Sequence, residues 1–323
     1  TPDMPVIEGG WVRIEGECIA ATGAGPAPEG APGDAAERLD AGGDIVMPGF
    51  VNPHAHLPMT LFRGLGEDVD DRLFRYVLPL ERRFVGPGMV RTGTELAALE
   101  LVGAGVTTVA DMYYFEAEVG RVLDAAGLRG VVGQTIADFD PPDHATIDEG
   151  IALTEALRDE FAGHPRITPS IAPHAPYSTD IAVMARIAAW QADHPDVPVQ
   201  IHLAEMASEM DWAARTHGCR PVEVVDRAGR RAEGLIAAHC LYLDPGEIDR
   251  LAEAGVRVAH NARSNAKAGR GIAPVAEMRA AGIPVGIATD GPMSGNTLDL
   301  FAQFAPVSMF AKLLGRSRRP MPA

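Results

Sequence analysis

The chain has 323 residues, of which 46% are hydrophobic, and a formal net charge of −16 from 28 basic and 44 acidic side chains. That much apolar material builds a sizeable core and excludes a chain disordered throughout. No apolar run reaches the roughly 18 residues of a membrane-spanning helix. The acidic balance argues against a nucleic-acid backbone as the main partner, because phosphate binding calls for a basic surface, and leaves room for a neutral heterocycle in a pocket.

At roughly 150 residues per domain the length suits two domains, or one large α/β barrel with an appendage. The three cysteines, Cys18, Cys219 and Cys240, are too few and too widely spaced for a disulfide framework or a cysteine zinc site, and read as reduced thiols of a cytoplasmic protein. The first residues, Thr1-Pro2-Asp3, lack the pattern of a signal peptide. With no initiator Met, a natural start upstream is expected.

Residues 1–47 differ from the rest. Trp11–Ile14 and Cys18–Ala21 read as two short strands around Glu15-Gly16-Glu17, followed by a Gly-, Pro- and Ala-rich loop from Thr22 to Gly33. A hairpin of that size buries little core alone, so this segment is expected to be the N-terminal part of a small β-sandwich appendage. From Ile45 the pattern changes to alternation. Apolar runs at Ile45–Val51, Val106–Asp111, Gly130–Ile136, Ile167–Ala172, Val197–Leu203, Leu235–His239, Val256–His260 and Pro284–Thr289 alternate with helical patterns. The latter include Thr94–Val102, Val119–Ala126, Ile147–Phe161, Ile181–Trp190, Pro245–Ala254 and Ala273–Ala281. Many of these helices end at a glycine, as at Gly105, Gly127, Gly255 and Gly282, the residue that accepts a left-handed C-terminus. These runs make the β–α count of a TIM-type (β/α)8 barrel over residues 48–323. An open doubly wound sheet is the alternative, weakened because no GxGxxG follows the first strand.

A barrel carries its chemistry at the C-terminal ends of its strands, which directs attention to the polar residues there. The first run leads into Asn52-Pro53-His54-Ala55-His56, and a strand period of two points His54 and His56 to one side. The fifth ends His202-Leu203-Ala204-Glu205, the sixth His239-Cys240, and the eighth Thr289-Asp290-Gly291. Singly, each has a bland explanation: a core histidine, a turn. His144, His164, His194 and His217 lie in Pro-rich or helix-end contexts and are given that explanation. The conjunction is far more specific. Three neutral imidazoles and one carboxylate suit one Zn²⁺ or Fe²⁺, and such a cation lowers the pKa of a water. Glu205 is near enough to His202 to shuttle a proton, His239 could hold the water, and Asp290 could both ligate and accept a proton.

These stretches resemble the amidohydrolase superfamily, and within it the 5′-methylthioadenosine/S-adenosylhomocysteine deaminases and related chlorohydrolases. The resemblance rests on PGFVNPHAHLPMTLFRGLGED (48–68), LPLE (78–81), SIAPHAPYS (170–178), IHLAE (201–205), HGCRP (217–221), AAHC (237–240), HNARSN (260–265) and ATDGPMSGNTLDL (288–300). It implies His54, His56, His202 and Asp290 as metal ligands, Glu205 as the group that moves a proton to a ring nitrogen, and His239 as the residue orienting the nucleophile. It implies Glu81 on ribose hydroxyls and His174 against the substrate. A bland alternative stands beside each of the last two: Glu81, next to Arg82 and Arg83, as part of a solvated helix face, and His174, between prolines, as a turn residue. Relatives that bridge two metals do so with a carboxylated lysine on strand four. The only lysines here are Lys267 and Lys312, so one metal per chain is expected.

Three departures lie near the expected pocket: HLAEM (202–206) where HLHET is common, Arg263 before Ser264-Asn265, and TDGPMSGN (289–296) where TDGAASNN is usual. Relatives also continue further beyond the position of Asp290, so the small domain is expected to be incomplete at its C-terminal side, which would leave a β edge unpaired. The expected activity is hydrolytic release of ammonia from an adenine-type nucleoside (methylthioadenosine, S-adenosylhomocysteine or adenosine). Two other readings stand beside it: the same machinery on guanine, a pterin, cytosine or a chlorinated triazine, and an inactive truncated metal-binding scaffold. The resemblance also implies a homo-oligomer, a small heterocyclic substrate, and neither nucleic acid nor membrane as a partner.

Overall fold

The computed structural model describes residues 6–28, 37–229 and 234–321. They fall into two compact units divided between Pro48 and Gly49. In the first, β1 (Gly10–Glu15) and β2 (Cys18–Ala24) pair antiparallel, with a register shift between Arg13 and Ile14. The expected hairpin is thus present, turning at Glu15-Gly16-Glu17. The later part of the Gly/Pro-rich loop lies outside the described residues.

The second unit is a (β/α)8 barrel. Its parallel strands run β3 (Phe50–Ala55), β4 (Val106–Tyr113), β5 (Arg129–Ile136), β6 (Ile167–Pro173), β7 (Val199–Leu203), β8 (Leu235–His239), β9 (Arg257–His260) and β10 (Val285–Ile287), neighbours in sequence being neighbours in the sheet. The register is regular where the runs are longest: Thr108 to Tyr113 face Arg129 to Gln134, and Val199 to Leu203 face Leu235 to His239. Strands covered on both faces need near-continuous apolar runs. β7 is buried throughout, and β4 and β5 nearly so.

The helices follow in chain order: α1 (Leu78–Phe84), α2 (Pro87–Gly103), α3 (Glu116–Ala125), α4 (Ile147–Glu160), α5 (Pro176–Ala192), α6 (Ala207–His217), α7 (Pro221–Arg227), α8 (Pro245–Glu253), α9 (Ala262–Lys267), α10 (Val275–Ala280), α11 (Pro292–Gly295) and α12 (Phe301–Leu314). Their starts are chemically marked. Thr146 and Glu149 form a reciprocal capping box on α4, and Asp244 and Glu247 on α8, each satisfying N–H groups the first turn leaves free. Pro87, Pro176 and Pro245 open α2, α5 and α8, where a missing N–H costs nothing. Ile248 and Leu251 of α8, and Ala97, Ala98 and Leu101 of α2, turn inward at helical spacing. The core has two large apolar bodies, one centred on Ile136, Ile171, Ile201 and Leu203, the other on Leu57, Leu101, Val109 and Leu123. Each such side chain, fully buried, contributes roughly 1.5–3 kcal/mol.

One strand sits elsewhere than expected. The run Ile45–Val51 was expected to form strand one; β3 instead starts at Phe50 and contains Asn52-Pro53-His54. Its side chains explain the shift. β3 and β10 face each other across the barrel seam without a ladder, and proline cannot donate to one. The seam is joined instead by the Asn52 carboxamide, which accepts from Thr289 N–H (3.2 Å) and donates to Thr289 Oγ1 (2.8 Å), and by Asp290 N–H donating to the His54 carbonyl (3.2 Å). Gly286 makes the close approach possible: a Cβ there would lie 2.9 Å from the Pro53 ring. The seam therefore sets His54 beside Asp290.

Candidate active site

The mouth of the barrel collects the histidines. His54 lies in β3, His56 just beyond it at the start of a 3₁₀ turn (Leu57–Phe62), His202 in β7, His239 at the end of β8, and Asp290 after β10. Asp290 Oδ1 is 3.7 Å from His54 Nε2 and 3.4 Å from His56 Nε2, and the Nε2 atoms of His56 and His202 are 3.3 Å apart. His54, His202 and His239 also bring one nitrogen each within 4.8 Å of one another. All of them are buried or nearly so.

The partners of the other ring nitrogens fix the tautomers. His56 Nδ1 donates to the Met112 carbonyl (2.5 Å), His202 Nδ1 to the His174 carbonyl (2.9 Å), and His239 Nδ1 to Asn265 Oδ1 (2.8 Å). A carbonyl only accepts, so each Nδ1 carries the proton and each Nε2 a lone pair. Two lone pairs facing at 3.3 Å have no proton to share, and buried His54 Nε2 has no hydrogen-bond partner. Burial, then the nearby imidazoles, hold His54 and His202 far below the usual imidazole range, so protonation is no remedy. Burial alone would raise the Asp290 carboxyl; any positive charge on the imidazoles of His239, His56 and His54, together with the Ser264 hydroxyl donating at 2.5 Å, outweighs it and sets the carboxyl below its ordinary range. Imidazole nitrogens and one carboxylate oxygen converging on one buried point fit a divalent cation in an N/O ligand set.

Glu205 stands at the rim of this cluster. Its Oε1 lies 3.5 Å from His239 Nε2 and is ion-paired with Arg270. Its backbone is clamped by α6: the buried Glu209 carboxylate accepts from Ala204 N–H (2.9 Å) and Glu205 N–H (2.8 Å). Glu81 and His174 open onto the same cavity, which is also lined by His56, His202, Glu205, His239 and Asp290. Glu81 is only 5% exposed, so it is no part of a solvated face. Burial pushes its carboxyl up to about 7, against the pull of the Tyr113 hydroxyl. His174, after β6, sets its Nδ1 2.7 Å from Ser178 Oγ, and burial, then His56 and His239, pushes it down to about 3, a neutral ring at any working pH. The histidines given bland explanations stay outside the cavity: His164 accepts N–H groups of Arg166 and Ile167, His194 stacks on Trp190, His217 packs on Trp212, and His144 is buried against Asp143.

Several lining residues were not singled out in the sequence. Tyr113, Tyr114, Phe139 and Tyr177 supply aromatic walls, and Arg72 and Arg270 bring guanidinium groups to the cavity. Tyr113 and Tyr114 could have been found by the strand-end rule, since they close β4. Arg270 sits in a loop beyond α9, and nothing in its spacing marks it.

A model described as the amidohydrolase family matches residues 45–323. The chain is 38% identical, over 325 aligned positions, to a 5-methylthioadenosine/S-adenosylhomocysteine deaminase of Syntrophobacter fumaroxidans, covering 100% of this chain and 73% of that one. Among solved structures, an adenosine deaminase from Xanthomonas campestris with bound zinc is 36% identical and superposes with a TM-score of 0.81, over 84% of this chain and 62% of that one. A guanine deaminase from C. acetobutylicum shares the fold at 23% identity, with a TM-score of 0.89 over 99% of this chain and 79% of that one. The chain thus spans less than two thirds of the solved adenosine deaminase. Among the described residues, no helix is long and apolar enough to cross a membrane.

Proposed function

The chain belongs to the amidohydrolase family, and from that premise we propose that it is a metal-dependent hydrolytic deaminase acting on an adenine-type nucleoside: methylthioadenosine, S-adenosylhomocysteine or adenosine. The observation that carries this is the set of buried nitrogens at the barrel mouth, facing Asp290 Oδ1 with the carboxylate of Glu205 alongside. His54, His56, His202 and Asp290 would hold one divalent cation, zinc by preference, with iron fitting the same donors. β6 carries no lysine to bridge a second. When bound, the cation supplies Lewis acidity and brings the pKa of water towards neutrality.

The side chains do the rest. His239, its tautomer fixed by Asn265, presents an Nε2 lone pair that orients the attacking water. Glu205 takes the proton the water loses and passes it to the ring nitrogen next to the attacked carbon. The water oxygen bonds to that carbon, its second proton passes by way of the Asp290 carboxylate to the amine, the C–N bond breaks, and the amine leaves as ammonia. Glu81, at the aromatic end of the cavity, accepts ribose hydroxyls, and the neutral His174 contacts the ring. The free thiols suit a cytoplasmic location, and a homo-oligomer is the expected assembly.

The test is Glu205→Gln. Ammonia release from methylthioadenosine should fall by roughly 10²–10⁴-fold, with metal content per chain unchanged. Unaltered turnover would remove Glu205 from the mechanism. A folded, metal-loaded wild-type chain that is inert on every nucleoside, guanine, pterin and triazine tried would favour the scaffold reading.

A further inference from the structure

His56 stands just outside the barrel ladder, so something other than strand pairing must hold it. β3 pairs with β4 last at Ala55, opposite Asp111. His56 follows as the residue before the 3₁₀ turn, with φ −130° and ψ 78°, and its own side chain caps nothing. The first N–H that the turn leaves free, that of Leu57, is taken instead by β4. Asp111 Oδ1 accepts it at 2.7 Å, across 54 positions of sequence. The next residue of β4, Met112, offers the carbonyl that accepts His56 Nδ1–H. Two adjacent residues of β4 thus grip two adjacent residues after β3, one through the backbone and one through the ring.

Asp111 has a second oxygen to satisfy. Its side chain is fully buried, and Oδ2 meets no N–H donor. The remaining partner is the carboxyl of Glu116, equally buried, which shares a side-chain hydrogen bond with Asp111. Two carboxylates only accept, so one of the pair must donate. Burial lifts Asp111 to about 6, against the pull of the Leu57 N–H, while burial and then the Asp111 charge push Glu116 well above its ordinary range. Glu116 is therefore the donor and Asp111 the acceptor. Glu116 is itself held in place. It opens α3 behind Phe115, whose φ of 54° is left-handed, a conformation that a side chain resists. Asp143 Oδ2 fixes that turn by accepting Phe115 N–H (2.8 Å), and Gln134 Nε2 of β5 donates to the same oxygen (2.9 Å). Asp111, Glu116 and Asp143 all lie behind the cavity lining and take no part in the mechanism above.

We propose that Asp111, completed by the Glu116 carboxyl, is the positioning residue for His56: from behind the cavity it fixes the backbone that aims the His56 ring at Asp290 and His202. The inference rests on the reading of His56 as a ligand of a divalent cation. A ring held in the coordinating orientation before the cation arrives binds it more tightly than one that must be ordered on binding. The grip itself, Asp111 on the Leu57 N–H, is measurable without any metal.

The experiment reads zinc affinity, by competition with a chromophoric chelator, and amide exchange at Leu57. Asp111→Leu keeps the branched shape and removes both oxygens. Zinc should bind it about 10- to 100-fold more weakly, the visible spectrum of the cobalt-substituted chain should change, and Leu57 N–H should exchange faster. Glu116→Gln keeps a donor towards Asp111 and should bind zinc nearly as wild type does. Asp111→Asn keeps one acceptor where two are needed, and should fall between them. A pair that served the fold alone would lower the unfolding midpoint in these variants and leave the zinc affinity of the folded chain unmoved, and that result overturns the proposal. So does Glu116→Gln weakening zinc as much as Asp111→Leu, because Glu116 would then act through its charge. If Asp111→Leu does not fold, the order of the other two decides: zinc tighter on Glu116→Gln than on Asp111→Asn supports the proposal, and the reverse overturns it. If wild type binds no zinc, the metal reading fails by itself. Faster Leu57 exchange in Asp111→Asn than in Glu116→Gln then still supports the grip on the His56 backbone, and equal exchange overturns it.

Discussion

The two ends of the barrel handle left-handed backbone differently. At the helix-to-strand end the positive-φ positions are glycines. Gly255 (φ 68°) and Gly282 (φ 88°) close α8 and α10, with nothing near where a Cβ would lie, and the residues after them bond back to the helices, Val256 N–H to the Leu251 carbonyl and Ile283 N–H to the Met278 carbonyl. At the mouth, the positive-φ residues carry side chains: Ala204 (51°), His239 (75°), Cys240 (50°) and Asp290 (62°). An L-residue there costs roughly 1–2 kcal/mol, and the surroundings hold it in place. The Ala204 carbonyl accepts from both Leu241 and Tyr242 N–H, Cys240 N–H donates to the Leu203 carbonyl, and Asp290 N–H to the His54 carbonyl. One end is relaxed and serves stability; the other is strained and aims His239, Glu205 and Asp290 at one point.

The sharpest way to separate the ends is to strip the metal. A cation held at the mouth stabilises the folded chain by about 4 kcal/mol at a thousand times its dissociation constant. Chelation should lower the unfolding midpoint, abolish ammonia release, and raise amide exchange around residues 202–205 and 289–291 while the turns at Gly255 and Gly282 stay protected. Uniform loss of protection would erase the distinction.

A second, somewhat smaller effect comes from Glu81. Unfolded, its carboxyl titrates near 4.5; folded, burial lifts it to about 7. Between these two values the native state holds a proton that the unfolded state has released, so the stability this group contributes is fully present below pH 4.5 and is lost as pH rises towards 7, by on the order of 3 kcal/mol. Glu81→Gln should flatten that part of the stability–pH curve in denaturant unfolding. A slope unchanged by the substitution would mean that the mouth carries no such stored cost.

The relaxed end should respond in the opposite sense. Gly282→Ala forces a side chain into φ 88° and should cost about 1–2 kcal/mol of unfolding free energy, with kcat per folded molecule unchanged. The smallest effect is expected for Ala204→Gly. It relieves strain, but the freer unfolded chain takes back most of the gain, so stability should move by less than about 1 kcal/mol. The kcat should nevertheless fall severalfold, because the Glu205 backbone is less firmly held. If Ala204→Gly left kcat untouched, the strain at the mouth would have no part in aiming Glu205.

Much of this molecule was legible in one dimension. Strands covered on both faces need continuous apolar runs, and helices that end in tight turns need a glycine, so the β–α count and the joins at Gly255 and Gly282 follow from the residues alone. The strand-end rule found His202, Glu205, His239 and Asp290, because a parallel barrel sends every strand terminus to one mouth. β3 was misplaced because its pairing across the seam is made by a side chain, Asn52, and periodicity does not report side-chain hydrogen bonds. Glu81 was ambiguous for a related reason. Beside Arg82 and Arg83 it looks like a solvated face, and only the packing of α1 over the mouth buries it. Arg270 was missed altogether, since a loop residue with no periodic neighbours reaches the mouth only when the loop folds back on Asn265 and Tyr242. Thus the order of the strands and the chemistry at their ends are written in local pattern. Which carboxylate is buried, which tautomer each imidazole holds and which guanidinium meets Glu205 depend on contacts between residues tens to hundreds of positions apart, and those exist only once the barrel has closed.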